Sequence, residues 1–179
     1  MLEALQKTEV LGTGGSKTID FGIGLLSKLG MEFISNGETI VNPVPKDFPS
    51  IDRIKATNFK SNLENRILSD TNISLLGENS AFDVFGPQKG LSEKDIEKHK
   101  LEVERLITLI DKELILGLNP TEINSGAAGG LTFTLNQILG CEIENGAKYF
   151  LKAVSYTHLR AHETGRNLVC RLLLEKKKK

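Results

Sequence analysis

Lys89 stands in the run Phe85-Gly86-Pro87-Gln88-Lys89-Gly90, whose residue types suit gripping an anion better than filling a core. Pro87 fixes its φ angle and has no N–H, so the run does not belong inside a helix or a central strand. Gly86 and Gly90 permit backbone shapes that other residues resist. The run reads as a shaped loop presenting the Gln88 amide and the Lys89 ammonium, with an exposed turn as the plainer alternative. Two further segments, Gly12-Thr13-Gly14-Gly15-Ser16 and Ser125-Gly126-Ala127-Ala128-Gly129-Gly130, are small enough for a phosphate to approach the backbone closely. Each precedes a predicted helix, whose N–H groups supply donors and a partial positive charge. Tight packing of a helix on a sheet needs the same small residues, so each segment also has a purely structural reading.

Two familiar labels fail. In Gly12-Thr13-Gly14-Gly15-Ser16-Lys17-Thr18, Ser16 stands before Lys17 where a P-loop requires glycine. The spacing of Gly12, Gly14 and Gly15 does not fit a dinucleotide fingerprint either, which argues against a nucleotide-dependent dehydrogenase. Cys141 and Cys170 form neither a disulfide framework nor a CxxC pair, and the sequence has no metal-ligand cluster. His99 lies within a predicted helix and reads as structural.

The elements that must hold these residues follow from periodicity. Glu9-Val10-Leu11 reads as a strand end. Ile19, Ile23, Leu26 and Leu29 recur at helical spacing over 20–29, with Gly30 as the stop. Met31 to Ile34 predicts a strand, Asn36-Gly37 a hairpin turn, and Pro43, Pro45 and Pro49 an extended connection over 42–50. Arg66 to Leu68 predicts another strand, ending at Ser69-Asp70. Ser92 and Asp95 form a capping box for a helix whose buried face carries Ile96, Val103, Ile107, Ile110 and Leu114. Leu131, Leu135, Ile138 and Leu139 mark a further helix stopped by Gly140, and Asn145 caps another through Phe150. Short strands alternating with amphipathic helices predict an α/β protein.

The 179 residues fit one domain and can bury a core. The zero formal charge hides an asymmetry: Val154 to Lys179 holds seven Lys/Arg against two acids, leaving residues 1–153 at a net −5. An acidic body argues against nucleic acid as a partner. No apolar run approaches a membrane span, and no signal peptide opens the chain, so no membrane partner and a cytoplasmic location are expected. Val154 to Thr164 and Leu168 to Glu175 resemble the conceptual translation of a transposase-type sequencing adapter, and Lys176 to Lys179 is what a poly-A run encodes. Residues 153–179 are therefore expected to be a non-native tail, disordered or a spurious helix. His158 and His162, spaced as a helical metal pair, leave the site argument with it.

Three segments taken together resemble the bacterial type I glycerate kinases in sequence and order. They are Gly14-Gly15-Ser16 followed by Asp20 and Gly24, then Phe85 to Gly90, then Gly126 to Gly130. Between them, Asp70 with Leu75, Leu76 and Gly77 is similar to the family's acidic segment. The resemblance covers residues 8 to 152 and implies that 1–152 form the middle part of a two-domain α/β kinase. It implies transfer of the ATP γ-phosphoryl group to a hydroxyl of glycerate with Mg²⁺, a reaction dominated by positioning and charge neutralisation. On that reading Lys89 is a catalytic residue that binds phosphate or the glycerate carboxylate, and Gly86 and Gln88 belong to the substrate- and phosphate-binding residues, with Gln88 orienting. Gly14, Gly15 and Ser16 cradle one anionic group, and Gly126, Gly129 and Gly130 another. Asp20 and Asp70 are candidates for Mg²⁺ ligation or for accepting the substrate hydroxyl proton.

The chain departs from the family at specific points. Lys17, Ile19 and Phe21 stand where the family carries alanine, asparagine and glycine, and Ile73-Ser74 replaces an asparagine-proline pair. The family's upstream α/β portion and its downstream glycine-rich acidic motif have no counterpart in the sequence. Residues 1–153 alone are therefore expected not to turn over. A non-catalytic domain binding anions or carboxylates is the alternative, favoured by Ile19 and Phe21.

Overall fold

Val10, Leu11 and Gly12 form strand β1 (Val10–Gly12), the first of three parallel strands, in a computed structural model that describes residues 5, 7–60 and 63–153. β5 (Arg66–Leu68) lies beside β1 with Val10 opposite Arg66, and β6 (Glu142–Glu144) lies beside β5 with Ile67 opposite Ile143. Parallel neighbours need crossovers. The crossover from β1 to β5 contains helix α1 (Ile23–Lys28) and a second, antiparallel sheet. That from β5 to β6 contains α2 (Ala81–Phe85), α3 (Glu93–Leu114) and α4 (Ala127–Phe133). The α/β class is therefore the observed one. The chain divides into two compact units, Met1–Glu144 and Asn145–Lys179. The adapter-like stretch from Val154 onward, with His158 and His162, lies outside the described residues.

In the antiparallel sheet, β2 (Glu32–Ser35) turns through Asn36 (φ 50) and Gly37 (φ 87) into β3 (Glu38–Thr39). Two successive left-handed residues give the hairpin turn that Asn-Gly favours. β4 (Arg53–Lys55) pairs with the other edge of β2. Its one buried residue, Ile54, sits between two exposed charges, a pattern too short to predict a strand. The connection over 42–50 is not extended throughout: Pro45–Ser50 is a 3₁₀ turn in which the Asp47 carboxylate accepts the Val44 N–H.

α1 begins later than its periodicity predicts, because Phe21 (φ 41) and Gly22 (φ 76) are left-handed. Gly30 (φ 100) ends it as expected. Lys89 also lies in a different setting from the predicted loop. α2 runs on through Gly86 into a 3₁₀ turn, Pro87–Lys89. Gly86 has helical angles (φ −56, ψ −50), so its value is space. A Cβ there would lie 2.2 Å from the Phe82 carbonyl oxygen and 3.0 Å from the Ile96 side chain. Gly90 alone has the special backbone, with φ 84.

α3 starts at the expected capping box: the Ser92 hydroxyl accepts the Asp95 N–H and donates to the Asp95 carboxylate at 2.6 Å. It buries Ile96, Val103, Leu106, Ile107 and Ile110 in a core shared with Phe21, Phe33, Phe48 and Phe82, and Leu114 packs half-buried at its edge. Each such burial is worth about 1.5–3 kcal/mol before ordering costs. Arg105 ties α3 to the 3₁₀ turn by donating to the Ile51 carbonyl at 2.7 Å. A smaller cluster, with Leu25, Leu135, Leu139 and Cys141, covers Ile67 of the parallel sheet. In the second unit, the Asn145 side chain accepts the Lys148 N–H at 2.9 Å and caps α5 (Gly146–Ala153), as predicted.

Candidate functional site

The loops that leave the carboxyl ends of parallel strands are where open α/β sheets place ligands. Here they are 13–16 after β1 and 69–71 after β5. Thr13 fixes the first loop to the sheet, donating to the Leu68 carbonyl from both its N–H (3.0 Å) and its hydroxyl (3.1 Å). Gly14 and Gly15 then run through open space, Gly15 with φ 63. The Ser16 hydroxyl turns the chain by donating to the Thr18 carbonyl at 2.9 Å.

That carbonyl is where the separate sequence segments meet. Lys89 Nζ donates to it at 2.8 Å across 71 residues of sequence. A Cβ on Gly129 would lie 2.0 Å from the same oxygen. Gly129 is left-handed (φ 70) and its own carbonyl accepts the Phe21 N–H at 3.0 Å. Only a glycine there lets the two chain segments touch.

Burial pushes the Lys89 ammonium below its ordinary lysine value, and the Asp20 charge partly opposes that. Asp20 latches the loop, accepting from the Thr18 hydroxyl at 2.8 Å and from the Gly22 N–H at 2.9 Å.

Three clefts surround this junction. The largest, about 260 Å³, is lined by Gly14, Gly15, Ser16, Gln88, Lys89 and Gly129, together with Thr13, Thr71, Phe85 and Ala128. Of the last four, Thr13, Phe85 and Ala128 lie in the segments singled out in the sequence but were not among the named site residues, and Thr71 lies in none of them. Thr13 lies inside the glycine segment it anchors, whereas Thr71 carries no local signal and reaches the cleft only through the fold. On the other side of the 13–16 loop a cleft of about 240 Å³ is lined by Thr13, Ser16, Asp20 and Ala128, among others. The third, about 170 Å³, lies beyond Lys89, between Lys17, Ile19, Phe82 and His99.

Not every candidate reaches the clefts. Asp70 is exposed at the end of β5 and lines none of the three. Gly126 packs against the chain after β5, where a Cβ would lie 2.4 Å from the Ser74 carbonyl oxygen. Gly130 (φ 86) packs on Phe21, 3.0 Å from its Cα by the same measure. The helix start expected at Asp20 is displaced to Ile23, so residues 17–22 separate the glycine loop from α1. Among the described residues, no group of three or more His, Cys, Asp or Glu is placed to hold a metal ion.

The sequence matches the model of the glycerate kinase family over residues 1–169. The chain belongs to the glycerate kinase family. It is 29% identical to the glycerate kinase of Bacillus subtilis (strain 168) over 158 residues, 87% of this chain and 41% of that protein. It is 27% identical to the glycerate 2-kinase of Escherichia coli (strain K12) over 157 residues, 86% of this chain and 41% of that protein. The crystal structure of a protein described as glycerate kinase 2, from Salmonella typhimurium LT2, matches with a TM-score of 0.72 at 26% identity. The match covers 85% of this chain and 42% of that one. The chain thus spans about two fifths of the length of these relatives.

Two of the glycerate kinase departures now have a physical setting. Phe21 keeps the left-handed φ that suits a glycine, yet its side chain is fully buried with its ring centroid 5.7 Å from that of Phe48. Ile19 is buried against the same core, so the amide expected there is replaced by hydrocarbon.

Proposed function

We propose that the chain contributes the phosphate-gripping part of an enzyme that transfers the ATP γ-phosphoryl group to a hydroxyl of glycerate. The observation that carries this reading is the junction at the Thr18 carbonyl. It sets the Lys89 ammonium beside the open Gly14-Gly15 backbone and the Gln88 amide, at the carboxyl ends of two parallel strands. A lysine held this way keeps two of its three donors for a ligand. Lys89 neutralises charge on the transferred group, Gly14 and Gly15 offer backbone N–H groups, and Gln88 orients. Thr13 and Ser16 hold the loop shape on which those contacts depend.

Magnesium is usually held by one or two carboxylates plus substrate phosphates rather than by a protein cage. Asp20, which lines a cleft beside the glycine loop, fits that demand as the carboxylate that would hold the ion, and Asp70 at the end of β5, outside the three clefts, is the second candidate. When bound, the ion supplies charge neutralisation on the phosphate oxygens. The carboxylate not engaged by the metal is the candidate to accept the substrate hydroxyl proton. A cytoplasmic location accords with this chemistry, and no helix among the described residues is long and apolar enough to cross a membrane. Turnover belongs to a family-length chain, residues 1–152 being the kinase portion and 153–179 the adapter-like tail. The family match runs through residue 169, past that boundary, and amplifying and sequencing the genomic locus independently tests where the kinase portion ends.

Coupled ADP-release assays with glycerate, ATP and Mg²⁺ test the reading on this chain and on a family-length protein carrying it. The expected result is binding without turnover by the chain and turnover by the longer protein. Lys89→Ala should lower kcat/KM by about a hundredfold, the usual effect of removing one charge-stabilising donor. Phosphate affinity should fall at a lower alkaline pH than for an ordinary lysine, because Lys89 loses its proton earlier. Glycerate binding with no ADP formation by the longer protein would favour the non-catalytic reading, for which buried Ile19 and Phe21 speak.

A further inference from the structure

The third cleft, on the side of Lys89 away from the glycine loop, has a character of its own. Its walls are hydrocarbon: Ile19 and Phe82 are buried core residues and Leu91 is packed half-buried against them. Besides Thr18, its polar residues are basic. Lys17 is exposed at the rim, and Lys89 and the half-buried His99 close the other sides. None of its lining residues is acidic. Asp20, the carboxylate that acts on Lys89, lies in the neighbouring cleft and is bonded to Thr18 and Gly22.

A pocket with two lysines and no carboxylate attracts an anion, and apolar walls favour an anion that brings carbon with it. A bare phosphate gains nothing from Ile19, Phe82 and Leu91 and loses hydration beside them. A short carboxylic acid satisfies both demands, with its charged end at Lys17 and Lys89 and its carbon chain on the apolar floor. Lys17 and Ile19 are both positions at which the resemblance described in the sequence breaks. One adds a cation to the rim and the other replaces an amide in the floor with hydrocarbon.

We propose that this pocket is the acceptor subsite and that Lys17 and Ile19 shift its preference from glycerate toward hydroxy acids with an alkyl group in place of the hydroxymethyl. The inference rests on the kinase reading for the word acceptor, whereas the pocket's ligand class rests on its lining alone. Lys17 and Ile19 are then specificity-determining residues. Lys89 stands between the two clefts, in reach of phosphate on one side and of the acid on the other.

Calorimetric titration of the full chain with glycerate and with 2-hydroxybutyrate tests this, with methyl shifts of Ile19 and Leu91 reporting where the acid sits. The expected result is tighter binding of 2-hydroxybutyrate, by about tenfold, because its methyl stands where glycerate has a hydroxyl that the apolar walls leave unpaired. Lys17→Ala should weaken both acids by about tenfold, and Lys17→Arg should restore most of that loss. Lys17 is exposed, so neither change threatens folding. Gln88→Ala, which lies in the phosphate cleft, should weaken ADP binding while leaving both acids unaffected. Failure of 2-hydroxybutyrate alone to bind, unchanged affinity in Lys17→Ala, or a preference for glycerate would overturn the inference while leaving the kinase reading intact, whereas failure of both acids to bind would overturn the inference and the expectation that the chain by itself binds. Acid binding with these responses but no ADP formation by the family-length protein would support the pocket and overturn the kinase reading.

Discussion

Phe21 shows how a single residue can be wrong for its backbone and still right for the molecule. A bulky residue at φ 41 is strained, by about 1–3 kcal/mol for such outliers. Its fully buried ring, packed on Phe48, outweighs that strain. Loss of a buried phenyl ring costs about 3–5 kcal/mol. Phe21→Gly should therefore destabilise the chain by about 2 kcal/mol despite removing the strain, as read by urea unfolding. A stability equal to or above that of the parent would show that strain dominates. At this scale the sequence was informative about residue type and silent about backbone angle. Gly86 makes the complementary point: its role came from the space around Ile96 and Phe82, which no local pattern reveals.

At the scale of elements, the junction of α2 with α3 decides where Lys89 points. The Asp83 carboxylate accepts from the Ser80 hydroxyl at 2.7 Å, at the start of α2, and from Lys100 Nζ at 2.6 Å, on α3. Burial by itself raises the Asp83 carboxyl, but the bonds from Lys100 and Ser80 outweigh it and hold the group below its ordinary value. Burial likewise lowers Lys100, and Asp83 and Glu97 more than reverse it. A carboxyl depressed in the fold contributes stability above its unfolded pKa of about 3.9 and loses it as pH falls through the folded value. Asp83→Asn should cost about 1 kcal/mol at neutral pH, in line with partly exposed pairs and helix caps. The gap to the parent should close as the solution is acidified below that unfolded value; a gap undiminished in acid would remove the carboxylate from the explanation. The Ser92-Asp95 box and the face of α3 were legible in the sequence because helix caps and helical periodicity are local. The Pro45–Ser50 turn, β4 and the late start of α1 were not. Each is set by what lies opposite: Phe48 in the core, the free edge of β2, and the carbonyl of Gly129.

For the whole molecule, the site exists because distant segments converge on one carbonyl oxygen, and two glycines separate folding from binding. A Cβ at Gly129 would collide with the Thr18 carbonyl, 2.0 Å away, at a left-handed φ. Gly129→Ala should therefore cost more than about 2 kcal/mol and abolish phosphate binding together with the loop's native geometry. Gly14 has no atom within 4 Å of its virtual Cβ. Gly14→Ala should leave stability within about 0.5 kcal/mol, as for surface changes, while weakening phosphate binding severalfold. Thermal melts with and without phosphate would separate the two, and equal destabilisation by both would argue against the junction. By itself the sequence determined the α/β class, most of the elements, the family resemblance and the short list of glycines, amide and lysine, because residue types and short spacings encode caps, turns and amphipathic faces. It could not determine which of those glycines face a cleft and which pack, or that Asp20 borders the loop while Asp70 stands apart. Nor could it show that Lys17, Lys89 and His99 share one apolar pocket. Those answers depend on contacts between residues tens of positions apart, which only the parallel sheet and its crossovers bring within reach.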